Sequence, residues 1–425
     1  MKLSKTVNKH QKDIKGTWFT VELREIKGKI MQCRGYISNN PTEEAISDLK
    51  YWKTKFRRIQ RRNTRMLKKQ NFRDIEKLSK EGNKDRFWRK IRQAKDTSGK
   101  DDVKANIDSV KDHFAKVFEA PFEASHELQR KAEASCKELA DFTDFSGVDL
   151  NPVWLEYALK NTRMSHVSGY DGLSSHMLLN CLTTKVNRCL FLFFQFILKH
   201  GIIPSNFNVS LVRPIIKDHK KSSEDVGNLR PISISNTLSQ IFERILLNKM
   251  PELHQTHRNQ FGFKRSTSTI HALFSFKETV VKYVEGGSPC HVVSLDAEKA
   301  FDKVWREGLF HKLKEKQVDL NTLKILKKYY DTSQGMIKLN GVLSNRFNIN
   351  CGVKQGGILS PYLFNFFIND LIEECVNRNI GAKFEHLNLS IIVYADDILL
   401  LSPIEKYLQI LRKIIFYYIW KFSLQ

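Results

Sequence analysis

The segment SIIVYADDILLLS, residues 390–402, most narrows what this chain can fold into. Two apolar runs flank Ala395-Asp396-Asp397, which predicts a hairpin with the acid pair at its tip rather than a solvated helix. Adjacent carboxylates repel, and apolar neighbours deepen the repulsion. Something positive must offset it, and a divalent metal bound by hard oxygen ligands is the usual answer. An ordinary Asp-Asp turn is the alternative, and this segment alone does not separate the two.

Composition narrows the class of partner. Over 425 residues, 70 Lys and Arg face 46 Asp and Glu, and 41% of the chain is hydrophobic. That content supports a real core and excludes disorder over most of the length. A surplus of 24 positive charges implies a polyanion, most commonly nucleic acid. The surplus is concentrated, with 19 Lys or Arg against 5 Asp or Glu in residues 51–100. Apolar residues run through that window at helical spacing: Trp52, Phe56, Ile59 and Met66, then Phe72, Ile75 and Leu78, then Phe87, Trp88 and Ile91. Amphipathic helices with one strongly basic face follow. A merely solubilising face would mix signs, so a phosphate backbone is the preferred partner over plain solvation.

Seven cysteines, an odd number with no Cys-x-x-Cys pair, argue against a disulfide framework or a zinc module and fit a reducing cell interior. The longest apolar stretch, Cys189 to Leu198, is broken by Gln195 and falls short of the ~20 residues that span a bilayer. MKLSKTVNKHQKDIK has no apolar centre and is not a secretory signal. The expectation is a soluble, intracellular protein without a membrane partner. KFRRIQRRNTRMLKK could direct nuclear import or simply bind RNA, which leaves nucleus and cytoplasm both open. A boundary is expected near Asn151-Pro152, where short β-branched runs begin to alternate with helical stretches. The fold class is therefore α+β from residue 151 to 425, after a basic helical region over 1–150.

Two further segments carry chemistry. In CHVVSLDAEKAFDKVW, Asp296 ends a β run and is the natural partner for a metal shared with Asp396, or else caps the following helix. Asp302 is expected to point elsewhere and make a structural ion pair. In NCGVKQGGILSPYLFNFFINDL, Gly352, Gly356 and Gly357 permit close backbone approach, Gln355 offers a neutral amide, and Ser360-Pro361 opens a helix. That is a tight turn feeding a helix, or a loop laid against a base or sugar. His254 and His257 lack a further ligand placed to complete a metal site and read as surface residues.

In this order, LDAEKAFDKV, GVKQGGILSP and YADD resemble the palm motifs of reverse transcriptases, most closely those of non-LTR (LINE-type) retrotransposons. VRPIIKDHKKSSEDVGNLRPISISN and NQFGFKRSTSTIHALF are similar to the family's fingers motifs, and SHVSGYDGLS to its opening segment. The resemblance covers roughly residues 150–420, and the basic region before it is similar to a connector.

The resemblance implies a right-hand polymerase fingers and palm with an antiparallel palm sheet. It implies RNA-templated DNA synthesis, in which a primer 3′-hydroxyl attacks a deoxynucleoside triphosphate on an RNA template. Two Mg²⁺ ions, or Mn²⁺ in their place, would be held by Asp296, Asp396 and Asp397, with the backbone carbonyl of Ala297 touching one. Lys217 and Arg230 would grip the triphosphate. Phe301 would stack beneath the sugar and exclude a 2′-hydroxyl, unless it is a core residue. Gln355 would lie along the nucleotide or template base, while Lys264 and Arg265 would contact template phosphates. No endonuclease is expected in residues 1–150, and the thumb is expected to be absent. The rivals are an inert nucleic-acid-binding remnant of a retroelement and a group II intron-type reverse transcriptase.

Overall fold

The computed structural model describes residues 19–39, 42–80, 86, 103–119, 126–141, 148–219, 221–297 and 300–421. It resolves into two compact units, Met1–Asp101 and Asp102–Gln425. MKLSKTVNKHQKDIK and the apolar run Phe87, Trp88 and Ile91 lie outside the described residues.

The first unit contains helices α1 (Val21–Asn39) and α2 (Glu43–Lys80). The Thr42 hydroxyl accepts from the Ala45 amide at 3.3 Å, and Glu43 and Glu44 complement the positive helix end. Trp52, Phe56 and Ile59 recur at intervals of four and three, so they form one stripe, which packs on Leu23, Ile26 and Ile30 of α1. Asn63 reaches Thr20 at 3.2 Å, whereas Lys29 sits 4.4 Å over the Trp52 ring. The two helices therefore run antiparallel. Arg57, Arg58, Arg61 and Arg65 are exposed. Between Asp48 and Asp74 no acid interrupts α2, whose eleven Lys and Arg in that stretch share a single sign.

The second unit is α+β, built on two larger sheets. Strands β1 (Val209–Ile216), β2 (Leu229–Ile234), β4 (Gln334–Leu339) and β5 (Val342–Leu343) follow the order β2-β1-β4-β5, and β6 (Phe347–Asn348) also pairs with β4. The β1–β2 pair is antiparallel and β1–β4 parallel, which makes this sheet mixed. Helix α3 (Ile107–Phe118) lays Val110, Phe114 and Phe118 against Val212, Ile216 and Ile337 of it. Spacings of four along a helix give a single apolar face, and the sheet is what covers it. Residues 103–119 thus lie in the second unit, upstream of the change of texture at Asn151-Pro152.

The second sheet has the order β3-β10-β9, with β3 His291–Asp296, β9 Ile391–Tyr394 and β10 Asp397–Ser402, all antiparallel. Val293, Leu295, Ile398 and Leu400 face the main core, where they meet helices α12 (Ser360–Asn377) and α13 (Glu405–Lys421). On the other face Ile392 and Leu401 pack under Ala272 of helix α9 (Thr269–Glu285). Helices α8 (Thr237–Lys249) and α11 (Leu320–Asp331) supply Phe242 and Tyr329, both fully buried with their rings 5.8 Å apart. No described helix is long and apolar enough to cross a membrane. The seven cysteines are free.

Candidate active site

Tyr394 pairs with Asp397, so Ala395 and Asp396 alone make the turn between β9 and β10. Ala395 has φ +59°, a left-handed conformation that costs an L-residue roughly 1 kcal/mol. The neighbouring segment Asn259–Gly262 holds it there. The Gln260 side chain accepts from the amides of Ala395 at 3.0 Å and Gly262 at 2.7 Å. Backbone bonds join Phe261 and Asn259 to Val393. A Cβ on Gly262 would lie 2.3 Å from the Ala395 nitrogen, so only glycine allows this approach. Asn365 of α12 in turn binds the Gly262 carbonyl at 2.9 Å.

Register then brings in the third acid. Asp296 at the end of β3 stands directly opposite Asp397, which puts both side chains on one face of the sheet, and both are exposed. Asp396 is half-buried. Its carboxyl is held above the ordinary range, chiefly by burial and then by the charges of Asp397 and Asp296, while the Arg230 guanidinium pulls the other way. Asp296, Asp396, Asp397 and Arg230 thus share one neighbourhood. Crowded carboxylate oxygens with surplus negative charge suit a hard divalent cation. Among the described residues, no group of three or more His, Cys, Asp or Glu is drawn together as a metal site. Ala297 follows directly, half-buried against the core.

The glycine loop lies against the segment that follows β3. Val353 donates to the Phe301 carbonyl at 2.7 Å and Gly352 to that of Val304 at 2.9 Å. Gly352 (φ +75°) and Gly356 (φ +104°) are left-handed, and added Cβ atoms would strike the carbonyl oxygens of Asp302 and Ser233. Beneath the loop lie three buried charges. Glu243 of α8 accepts from the amides of Ile358 (2.6 Å) and Leu359 (3.1 Å) and from the Tyr329 hydroxyl (2.6 Å). Arg306 donates to the carbonyls of Gly352 and Tyr330 at 2.9 and 3.0 Å. Lys354 donates to Asn208 and sits 5.3 Å over the Tyr329 ring; burial brings its amine down to about 8.

The remaining candidates are distributed around this centre. Lys217 and Arg230 are exposed on the β1–β2 hairpin, and Arg230 pairs with Ile215. Phe301 is half-buried, stacked on Phe364 at 4.5 Å, with Phe263 edge-on at 5.8 Å. Arg265 is exposed, whereas the Lys264 amine turns back to the His257 carbonyl at 3.3 Å. Gln355 donates to Asp302 at 3.0 Å, so Asp302 turns toward the glycine loop. His257 is half-buried, contrary to the surface reading, because its ring accepts from the Asn259 amide at 3.1 Å as the segment folds under β9. His254 is exposed.

Three residues of this neighbourhood escape a reading of motifs. Arg213 is exposed on β1, four residues before Lys217 at the strand's end, and strand alternation would have found it on that face. Glu243 sits in an apolar helix, TLSQIFERILLNKM, where a lone acid is itself a signal of a buried partner. Gln260 carried no such signal, since its task depends on a turn 135 residues away.

Residues 218–425 match the family described as reverse transcriptase (RNA-dependent DNA polymerase). The chain is 28% identical over 248 residues to the probable RNA-directed DNA polymerase from transposon BS of Drosophila melanogaster, covering 57% of this chain and 27% of that one. It is 29% identical over 220 residues to the RNA-directed DNA polymerase from mobile element jockey of Drosophila funebris, covering 50% and 23%. A retrovirus-related Pol polyprotein from a type-1 retrotransposable element R2 of Popillia japonica matches at 28% over 250 residues, covering 58% and 34%. The matched stretch thus spans about a quarter to a third of the length of these relatives.

Proposed function

We propose, on the premise that this chain carries a reverse-transcriptase-like domain of the non-LTR retrotransposon type, that it extends a DNA primer on an RNA template. One observation carries the reading: Asp296 opposite Asp397, with Asp396 at the adjoining turn and the charge of Arg230 acting on it. In this reading the β3-β10-β9 sheet is the palm and the β1–β2 hairpin belongs to the fingers. Asp296, Asp396 and Asp397, with the Ala297 carbonyl, would hold Mg²⁺ or Mn²⁺, which supplies charge neutralisation and hydroxyl activation for phosphoryl transfer. Lys217 and Arg230 cover the triphosphate charge, Arg as a bidentate fork and Lys as a point charge. Phe301 lies beneath the sugar and Gln355 beside the base, on a loop too well anchored to yield. Arg265 meets template phosphate, with Lys264 bracing the segment behind it. The basic face of α2 binds phosphate backbone and gives binding a steep salt dependence. Such a chain acts on RNA, DNA and deoxynucleoside triphosphates in the nucleus, the cytoplasm or both.

The test is extension of oligo(dT) on poly(rA) with Mg²⁺ or Mn²⁺. Asp396→Asn abolishes extension while RNA binding stays near the parental level, because the basic surfaces are untouched. A variant that polymerised at the parental rate would sink the assignment. A second reading, nucleic-acid binding without catalysis, draws on the absence of a formed metal-holding group among the described residues. It predicts no extension by the parental chain under either metal, with RNA binding preserved.

A further inference from the structure

Gln355 is the one residue of the glycine loop whose side chain the polymerase reading aims at the nucleotide, and it is held at both ends. Its carbonyl accepts from the Ser233 amide at 2.8 Å. The next residue, Gly356, lies against the Ser233 carbonyl, where a Cβ would come within 2.6 Å. Strand β2 thereby fixes the backbone. The side chain is fixed from below: Nε2 donates to Oδ2 of Asp302 at 3.0 Å. Asp302 is only 2% exposed, and its own backbone is wedged under the loop. Its carbonyl oxygen accepts from the Cys351 thiol at 3.4 Å and would be 2.4 Å from a Cβ on Gly352.

A primary amide has two faces of opposite character, and nothing in its shape distinguishes them. A carboxylate can only accept, so it must face the NH₂ group. The consequence is that Oε1 of half-buried Gln355 is turned away from Asp302. Resting on the polymerase reading above, we propose that Asp302 is a positioning residue that locks the Gln355 amide with its oxygen toward the nucleotide. The loop would then offer the substrate a hydrogen-bond acceptor of one fixed orientation, without the entropy of choosing between two. An asparagine at 302 could donate as well as accept, and would let the amide turn over.

The experiment is steady-state extension of oligo(dT) on poly(rA) by the full chain, with dTTP varied and unfolding temperature recorded for every variant. Asp302→Asn and Gln355→Leu each raise the KM for dTTP, roughly three- to tenfold for one oriented hydrogen bond, and Asp302→Asn leaves kcat near parental. The double variant has a KM for dTTP no higher than Gln355→Leu alone, because in this proposal Asp302 reaches the nucleotide through that amide. Penalties that instead multiply would overturn the proposal, as would an unchanged KM in Asp302→Asn. A second pair reads stability rather than turnover. Gln355→Glu sets two carboxylates face to face and lowers the unfolding temperature, and adding Asp302→Asn, which can donate, recovers it. Failure to recover also overturns the contact. A parental chain that neither extends primer nor binds dTTP would end the polymerase reading and this inference together. An active parental chain with multiplying penalties would end the inference alone.

Discussion

The acid turn and the glycine loop are built from opposite electrostatic arrangements. At the turn, two of three like charges are exposed, and Asp396 is held protonated more readily than a free carboxyl by its surroundings. Under the loop, Glu243, Arg306 and Lys354 are buried, and each has hydrogen-bonding partners. Buried charge is tolerable only when paired or hydrogen-bonded, and these contacts tie the loop to its support, although Arg306 keeps one buried guanidinium nitrogen without a partner among the described residues. The turn keeps a surplus of negative charge facing outward and leaves it for something else to neutralise. Charge is left unmatched at the candidate site and is largely matched in the scaffold beside it.

The largest effect should come from breaking the matched side. Glu243→Ala strands two loop amides and leaves the Tyr329 hydroxyl with Ser239 in place of its two partners, and is expected to cost about 3 kcal/mol, measured by urea unfolding. A loss below about 1 kcal/mol would mean the loop is held by packing alone, and the contrast with the turn would fail.

Lys354 sharpens the same side through pH. Its amine is lowered to about 8 in the folded chain, against 10.5 when unfolded. Between these values the unfolded chain binds more protons than the folded one, so folding stability rises with pH. The window closes near pH 10, where unfolded tyrosines ionise while Tyr329 is held well above that range by burial. We expect a gain on the order of 1 kcal/mol from about pH 8 to about pH 10, absent in Lys354→Met. A flat parental profile would show that the buried amine keeps its proton.

The smallest effect belongs to the turn. The raised carboxyl of Asp396 means its ionised form opposes folding, fully above the folded value and not at all below the unfolded one. Asp396→Asn should therefore raise the unfolding temperature slightly at neutral pH, and the difference should vanish on acidification through the carboxylate range. A lower unfolding temperature at neutral pH would mean that the turn's charges are offset within the protein and are not surplus.

Much of this was legible because periodicity is local. The alternation in SIIVYADDILLLS and the run before Asp296 mark two strands and a tip, and the 3.6-residue spacing of TLSQIFERILLNKM marks α8. The acids and the glycine loop announce themselves by residue type. The role of residues 103–118 does not, since an amphipathic helix states that it needs a cover without stating which. Lys264 and Asp302 show the same limit. A lysine beside an arginine looks like a second phosphate contact until its amine is found on the His257 carbonyl. An acid one turn past Asp296 looks detached until a loop fifty residues on bonds to it.

From the one-dimensional string came the hairpin, its paired acids, the basic helix and the flexibility of Gly352 and Gly356, all consequences of backbone sterics, charge and side-chain spacing within a few residues. Only the tertiary fold decided that Asp296 would face Asp397 across a strand pair, that Gln260 would clamp Ala395, and that Asp302 would turn the Gln355 amide. Those outcomes depend on strand register and close backbone approach between distant segments, where a shift of one residue would move every side chain to the other face.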